Sequence, residues 1–443
     1  MILFFLALFS SAGFCLTEAD VRKSVLENFP LIEAAVLKSK AADGDVQSAQ
    51  GAFDHKLTFK SRNRIEDEYD NGYIESTLER MTPFRGVSLI AGHRQGLGRF
   101  PSYDGKYQTS GAGEIFAGLS VPLLRNSGTD ELRTGLAIAQ IEKQQVEEEL
   151  RLKKNVYLHK ALSLFIKWRL EEQKLAIRKG ILALAEDRTQ MLERRLKAGD
   201  LEAIKLTDNV RSIRKREDEL MKAEIEVSRF RTELSLYLPG SQLQGSPPPL
   251  ESSLHVEKKA SDTFLDSVPQ VRIAELEVKK MRLSEELFEQ ERLPGLAVDV
   301  LGAKELSQND PYDPESLMVG VKFDYPLENR KARGKTVAFS YKAQAAQKQN
   351  AYIRQELSRF HDFSVESALT SLKRWQTVSE EFENTVRMAT AEKTKWTQGS
   401  SDLFLVNIRE QDVADADIRR WTALYEVKQF ELDAKLFSAG FGI

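Results

Sequence analysis

The sequence predicts an α+β fold in which long antiparallel helix hairpins combine with β-strands, and in which this arrangement occurs twice. Helix-forming residues fill long blocks of the chain, and charged residues make up 30 % of it. A few short segments instead alternate strictly between apolar and polar residues, which is the pattern of half-buried strands. Two of the helical blocks are each interrupted by one glycine, Gly199 and Gly399.

The overall composition excludes some classes of protein. The 443 residues allow two or three ordinary domains or one elongated one. Lys and Arg number 64 and Asp and Glu 67, so the net charge is −3 and gives no basic stripe for nucleic acid. The single cysteine, Cys15, excludes an internal disulfide framework.

The N-terminal segment, residues 1–15, is predicted to be a secretory signal peptide. Its apolar run from Ile2 to Phe9 is too short to cross a bilayer as a helix and is followed by small residues. No Lys or Arg precedes this run, so a buried N-terminal helix stays an alternative. Cleavage is expected near residues 13–15, and Cys15 is a candidate for lipidation although Phe14, not a small residue, precedes it. No later segment predicts a transmembrane helix.

An internal repeat organises the chain. Phe230 follows Gly199 at the same interval as Phe430 follows Gly399, and further pairs of similar segments occur upstream in the same order. The predicted division is repeat one over 16–238 with its tip at 199, a Pro- and Ser-rich linker over 239–262, and repeat two over 263–443 with its tip at 399.

Within each repeat, a helical spacing (from Thr17 to about Ala52 in the first) gives way to alternating strands. These strands begin near Phe53 and Glu114 in repeat one, and near Pro294 and Leu317 in repeat two. Repeat one holds an additional predicted hairpin at 74–97 that repeat two lacks. The sequence leaves open whether this hairpin joins the main sheet.

The helical pattern then runs from Leu124 to Gly199, which would be a rod of about 110 Å if it were continuous. A second helix of about forty residues runs back toward the strands. Each glycine therefore marks the tip of a hairpin, where the helix end favours a left-handed residue.

Strands of about ten residues with an apolar outer face suit a transmembrane β-barrel. By pattern alone, a soluble antiparallel sheet packed on helices explains them equally well, and the secretory signal favours the barrel. Few strands per chain cannot close a wide barrel, and lipid does not tolerate an open sheet edge. The chain is therefore expected to oligomerise and share its strands and its helices with identical copies.

The order of these segments resembles the TolC family of outer-membrane efflux and secretion channels. The resemblance rests on "NFPLIEAA" (28–35), "GAFDHKL" (51–57) and "GLSVPLLRNSG" (118–128), and on the double occurrence of the whole pattern. It implies a homotrimer with a shared β-barrel in the lipid of the cell outer membrane and an α-helical barrel (α-barrel) extending across the periplasm. It further implies docking to a periplasmic adaptor (membrane fusion protein) and an inner-membrane transporter, in an efflux pump or a type I-like secretion system.

The resemblance also implies functional positions at the hairpin tips. The expected adaptor contacts are Leu196, Ala198, Gly199, Asp200, Trp396, Gln398, Gly399 and Ser400. Residues past the second glycine are expected to form a periplasmic constriction, without the aspartate rings of the best-known family members: Asp402, Leu405, Ile408 and Arg409.

The sequence gives little support to an enzyme. Its five histidines show no metal-ligand spacing, and it has neither a nucleophile elbow nor a Gly-rich phosphate loop between strand and helix. We therefore expect no catalytic residue, metal or cofactor. The alternative to a passive export conduit is a periplasmic coiled-coil adaptor or scaffold without a transmembrane barrel. That class usually has one hairpin and an inner-membrane anchor, whereas this sequence predicts two hairpins.

Overall fold

The computed structural model describes residues 16–63, 71–98, 102–103, 107–109, 111–199, 202–238, 250, 265–306 and 315–437. The predicted signal peptide with Cys15, and all of the predicted linker except Leu250, lie outside the described residues. The division into sequence repeats stays a prediction.

The chain forms two compact units, and each draws on both halves of the sequence. The helical unit comprises Met1–Val36, Glu149–Val271 and Ile353–Ile443. The sheet unit comprises Leu37–Glu148 and Arg272–Tyr352.

The N-terminal helical segment is divided in two. Helix α1, Glu18–Asn28, begins with a capping box in which the Thr17 hydroxyl accepts from the backbone N–H of Asp20 and the Asp20 carboxylate accepts from that of Thr17. It ends at Phe29, whose backbone is extended because a proline disfavours the helical conformation in the residue before it. Helix α2, Pro30–Gln50, then begins with that proline.

Two long helix hairpins follow the strands. The first consists of α3, Glu131–Lys197, and α4, Ala203–Ser235. The second consists of α6, Arg330–Thr397, and α7, Leu403–Phe437, and is preceded by α5, Pro269–Gln290.

Helix α3 begins later than the sequence pattern from Leu124 indicates. Asn126 has a left-handed backbone (φ 70°), which turns the chain before the helix. The Asp130 carboxylate then accepts from the backbone N–H of Arg133 at 2.8 Å, which caps the first turn.

Six strands form one antiparallel sheet. They are β1 (Lys56–Asn63), β2 (Asn71–Met81), β3 (Ser88–Gly98), β6 (Glu114–Pro122), β7 (Gly295–Glu305) and β8 (Glu315–Asp324), in that spatial order. The short strands β4 (Ser102–Tyr103) and β5 (Tyr107–Gln108) pair with each other in a second, two-stranded sheet. The additional hairpin predicted at 74–97 is therefore β2–β3, and it is part of the main sheet, between β1 and β6.

The two faces of the sheet have opposite chemistry. Residues that pair across antiparallel strands share a face, so one row joins Leu57, Leu78, Ala91, Ala117, Gly302 and Leu317 across all six strands. This apolar face is exposed, with Leu57 76 % and Leu317 74 % accessible. The other, polar face includes buried Glu75, Thr77 and Arg94. The sheet unit thus inverts the usual burial pattern of a protein in water.

The helical unit has a conventional apolar core. Trp168, Phe165, Leu162 and Leu158 of α3 are almost completely buried, and Val21 and Val25 of α1 belong to the same cluster. The Trp168 indole N–H donates to Glu172 at 3.0 Å, so its polar edge is satisfied.

Candidate functional site

The tip of the second hairpin is a left-handed helix end. Gly399 has φ 78°, and its N–H donates to the carbonyl of Trp396 at 3.1 Å. The N–H of Ser400 donates to the carbonyl of Lys395 at 2.9 Å. These two bonds form a Schellman motif, which ends a helix and favours glycine at the left-handed position.

The tip of the first hairpin repeats this geometry. Gly199 has φ 79°, and its N–H donates to the carbonyl of Leu196 at 3.1 Å. Leu196 thus has the same place relative to its glycine as Trp396 has in the second tip. Both glycines thus have left-handed backbones and lie between two long helices.

The predicted adaptor-contact residues lie at the two tips, with differing exposure. Leu196 and Trp396 are half-buried, whereas Ala198, Gly199, Gln398, Gly399 and Ser400 are exposed. Asp200 lies outside the described residues. Whether these residues contact an adaptor stays a prediction.

Two exposed apolar residues that the sequence analysis missed accompany the tips. Ile204 of α4 is 63 % accessible and Phe404 of α7 is 52 % accessible, and they follow their glycines at the same interval. Both line a groove of about 450 Å³ that also contains Lys205 and Asp402. The signal that could have identified Ile204 and Phe404 was the repeat alignment itself, because it places an apolar residue at the same position after each glycine.

An ion pair joins the two hairpins in this groove. The Lys205 ammonium donates to both carboxylate oxygens of Asp402 at 2.8 Å. The hydrogen bond from Lys205 lowers the pKa of Asp402, and the hydrogen bond to Asp402 raises the pKa of Lys205. Both groups therefore stay charged over the physiological range of pH. The sequence analysis placed Asp402 in a constriction and did not identify its partner.

Farther from the tips, a buried charged cluster connects three helices. The carboxylate of Glu410 on α7 accepts from Arg188 of α3 and, at 3.2 Å, from Arg216 of α4. Arg216 also donates to the carbonyl of Ile181 at 2.6 Å, and Arg188 donates to the side-chain oxygen of Asn407. Burial lowers the pKa of Arg188 because it disfavours the charged form. The cluster holds two guanidinium groups against one carboxylate.

The predicted constriction residues lie on the first turns of α7. Leu405 and Ile408 are exposed apolar side chains, and Arg409 pairs with Asp412 one turn later at 3.2 Å. Asp402 is instead engaged by Lys205. That these residues narrow a pore stays a prediction.

The described residues include no arrangement suited to metal chemistry. No group of three or more His, Cys, Asp or Glu side chains among them is placed to hold a metal ion. None of the helices in the described part of the chain combines the length and hydropathy needed to cross a membrane.

The sequence matches no protein-family model and no curated protein. Solved structures do match. The chain superposes on the CmeC outer membrane channel of Campylobacter jejuni with a TM-score of 0.70 and 10 % identity, over 96 % of this chain and 86 % of that one. The chain has the TolC-family fold.

Two further TolC-family structures agree with this assignment. The outer membrane protein VceC of Vibrio cholerae gives a TM-score of 0.68 at 12 % identity, over 96 % of each chain. CusC, a protein that forms a transmembrane channel, gives a TM-score of 0.68 at 12 % identity, over 98 % of this chain and 96 % of that one. At such identities the likeness establishes the fold alone. The tips and the two-faced sheet described above are thus features of a TolC-like chain.

Proposed function

We propose that this protein is an outer-membrane channel, a passive conduit for export across the periplasm and the outer membrane. The single observation that carries the proposal is the exposed apolar face of the six-stranded sheet. A face on which Val321 is 71 % and Phe323 67 % accessible is costly in water and favourable against lipid. The TolC-like fold supports the same function.

The sheet and the hairpins both suit assembly into a homotrimer. Among the described residues, the edge strands β1 and β8 each have a neighbour on one side only. Such a sheet cannot stand alone in lipid, because each unpaired backbone group there costs several kcal/mol. Sharing the strands in a closed β-barrel satisfies those edges. The long hairpins in turn would form the α-barrel that extends into the periplasm.

The tips suit recognition of a periplasmic adaptor. Ile204 and Phe404 offer apolar anchors, and the Lys205–Asp402 pair offers charged groups beside them. Helical hairpins of a partner commonly pack into such grooves through apolar side chains. The adaptor would link the channel to an inner-membrane transporter of an efflux pump or a type I-like secretion system. That transporter would supply the energy, because a conduit needs neither a catalytic residue nor a cofactor.

Fractionation of cells that express the full chain tests this proposal. We expect the protein in the outer-membrane fraction, with extraction only by detergent and a trimeric mass after purification. Recovery from the soluble periplasm without detergent would instead support a periplasmic coiled-coil scaffold. A purified monomer in detergent would contradict the shared barrel.

A further inference from the structure

The hairpin β2–β3 gives this chain a wider sheet than its repeat pattern requires. The second half of the chain contributes two strands, β7 and β8, whereas the first half contributes four, β1, β2, β3 and β6. We propose that β1 of one copy pairs with β8 of the next, and that β2–β3 thereby widens the shared barrel by two strands per copy. This inference rests on the proposed membrane channel.

The hairpin is an integral part of the sheet. Strands β2 and β3 pair along their full length, from Asn71 with Gly98 to Met81 with Ser88. Strand β1 pairs with the outer edge of β2, and β6 pairs with the outer edge of β3. Removal of the hairpin would therefore leave β1 without its present neighbour.

A charged row crosses the polar face through this hairpin. Lys60, Glu75, Arg94 and Glu114 lie opposite one another on successive strands, so positive and negative groups alternate. Arg94 and Glu114 form a buried ion pair, and Arg94 lies 5.1 Å from the centre of the Phe116 ring. A hairpin that only hung from the sheet could not place Arg94 between two carboxylates, and breaking a buried pair is strongly destabilising.

The strand directions allow closure between copies. Every neighbouring pair in the sheet is antiparallel, so the two edge strands, β1 and β8, run in opposite directions. In a ring of identical copies, β8 of one copy would meet β1 of the next in antiparallel orientation. An odd number of strands per copy would have produced a parallel pair at this junction.

The faces also match at the junction. Leu57 and Phe59 of β1 lie on the same face as Leu317, Val319 and Val321 of β8. A register that pairs odd-numbered residues of β1 with odd-numbered residues of β8 continues the apolar face across the junction. A shift of one residue would turn the apolar side chains of one strand toward the pore, so the lipid face selects the register parity.

The strand number fixes the pore width. Three copies of a six-stranded sheet give eighteen strands, whereas three copies without β2–β3 would give twelve. Barrel diameter grows roughly in proportion to strand number, so the pore would be about half again as wide with the hairpin. Barrels of this size leave an aqueous channel.

Electron cryomicroscopy of the full-length oligomer in lipid nanodiscs tests the strand number directly. We expect eighteen strands in the ring, with β2–β3 inside the wall. The comparison variant lacks residues 64–98, so that β1 can pair with β6. A register that keeps Lys60 in the row of Glu114, as in the native sheet, leaves the faces unchanged. We expect this variant to form a ring of twelve strands. A native ring of twelve strands, with β2–β3 outside the wall, would overturn the inference and leave the proposed channel intact.

Intermolecular disulfide formation in the full chain keeps the test independent of whether the deletion variant folds. Leu57→Cys is combined in turn with cysteine at Leu317, Val319, Val321 or Phe323. We expect oxidation to give covalent oligomers on denaturing gels for at least one of these same-face pairs. Leu57→Cys with Lys322→Cys, which lies on the polar face, is the matched control and should stay monomeric, as should the parent protein. If no same-face pair forms an intermolecular bond, the β1–β8 junction is wrong. If no membrane-inserted oligomer is recovered at all, the proposed channel itself fails.

Discussion

The Lys205 ammonium lies 2.8 Å from both carboxylate oxygens of Asp402, and so joins the start of α4 to the start of α7. Both side chains are partly exposed. An exposed ion pair of this kind contributes little to stability, because solvent screens it. It is therefore suited to a latch that a docking partner can release and not to a permanent joint.

We infer that the periplasmic end of the proposed channel opens when the tips separate, so removal of this latch should favour the open state. We expect Asp402→Asn to raise the open fraction by up to about fivefold and no more, because an exposed ion pair restrains its partners only weakly. Single-channel conductance in planar bilayers measures this fraction. Asp218→Asn is the matched control, because it removes an exposed carboxylate that pairs with Lys222 at 2.6 Å within α4. Equal open fractions for Asp402→Asn and the parent would mean that the pair does not restrain the tips.

The latch should respond to pH only under strong acid or strong base. The hydrogen bond from Lys205 holds the pKa of Asp402 below its ordinary value of 3.8, so the stabilisation is present above that pH and is lost as the pH falls through the lowered pKa. The pKa of Lys205 is raised above 10.5, so its charge persists below that pH and is lost as the pH rises through the raised pKa. We expect a constant open fraction between about pH 5 and pH 9. A change within this window that Asp402→Asn abolishes would contradict the assigned pKa directions.

The cluster around Glu410 should be important for the stability of the helical unit. Replacement of Glu410 by glutamine leaves Arg188 and Arg216 buried without a countercharge. Removal of one partner from a buried ion pair costs about 3–5 kcal/mol. We expect a clear fall in the thermal unfolding temperature followed by circular dichroism at 222 nm.

Glu226→Gln is the matched control for this cluster, since Glu226 pairs with Arg229 at 3.5 Å on an exposed face. This substitution should change the free energy of unfolding by no more than about 0.5 kcal/mol. If Glu410→Gln destabilises the protein no more than Glu226→Gln does, the two guanidinium groups do not depend on this carboxylate.

Local patterns in the sequence predicted most of the fold. The alternation of apolar and polar residues after Leu317 and Glu114 predicted the strands and their apolar faces. Gly199 and Gly399 predicted the positions of the hairpin tips. These features depend on residues that are close in sequence, for which side-chain period and backbone preference are sufficient. The start of α3 was misplaced because a left-handed Asn126 has no periodic signature.

Contacts between distant segments could not be read from the sequence. The place of β2–β3 between β1 and β6 depends on strand pairing, and alternation alone does not choose a neighbour. The partners of Asp402 and Glu410 lie on other helices, some two hundred positions away for Lys205. Both long hairpins contain many charged residues. The sequence therefore did not show which of them form ion pairs between helices and which face solvent.

The apolar face of the sheet should tolerate no charge if it faces lipid. Val321 lies on this face and Lys322, its neighbour in β8, lies on the polar one. We expect Val321→Lys to cost about 2–4 kcal/mol at the middle of a bilayer, and to lower the yield of outer-membrane oligomer. Lys322→Val is the matched control, because it changes the charge of the adjacent position without placing a charge in lipid. Membrane fractions probed for the oligomer measure both, and an unchanged yield for Val321→Lys would contradict a lipid-facing side.

The tip glycines should matter for docking and not for assembly. A β-carbon at Gly399 would meet no heavy atom within 4 Å, so the cost of a side chain there comes from the left-handed backbone alone (φ 78°). That cost is about 1–2 kcal/mol for ordinary residues and is greater for β-branched ones, whereas asparagine tolerates this conformation. We expect Gly399→Val to distort the tip and to reduce cross-linking to the periplasmic adaptor in cells, with the trimer intact. Gly399→Asn should retain most of the cross-linking.

Gly180→Val is the matched control, because Gly180 lies within α3, where a β-carbon also meets no heavy atom within 4 Å but the backbone is helical. The same change at Gly199 should act in the same direction because its φ is 79°. Undiminished adaptor cross-linking by both valine variants would show that the tips are turns without a docking role.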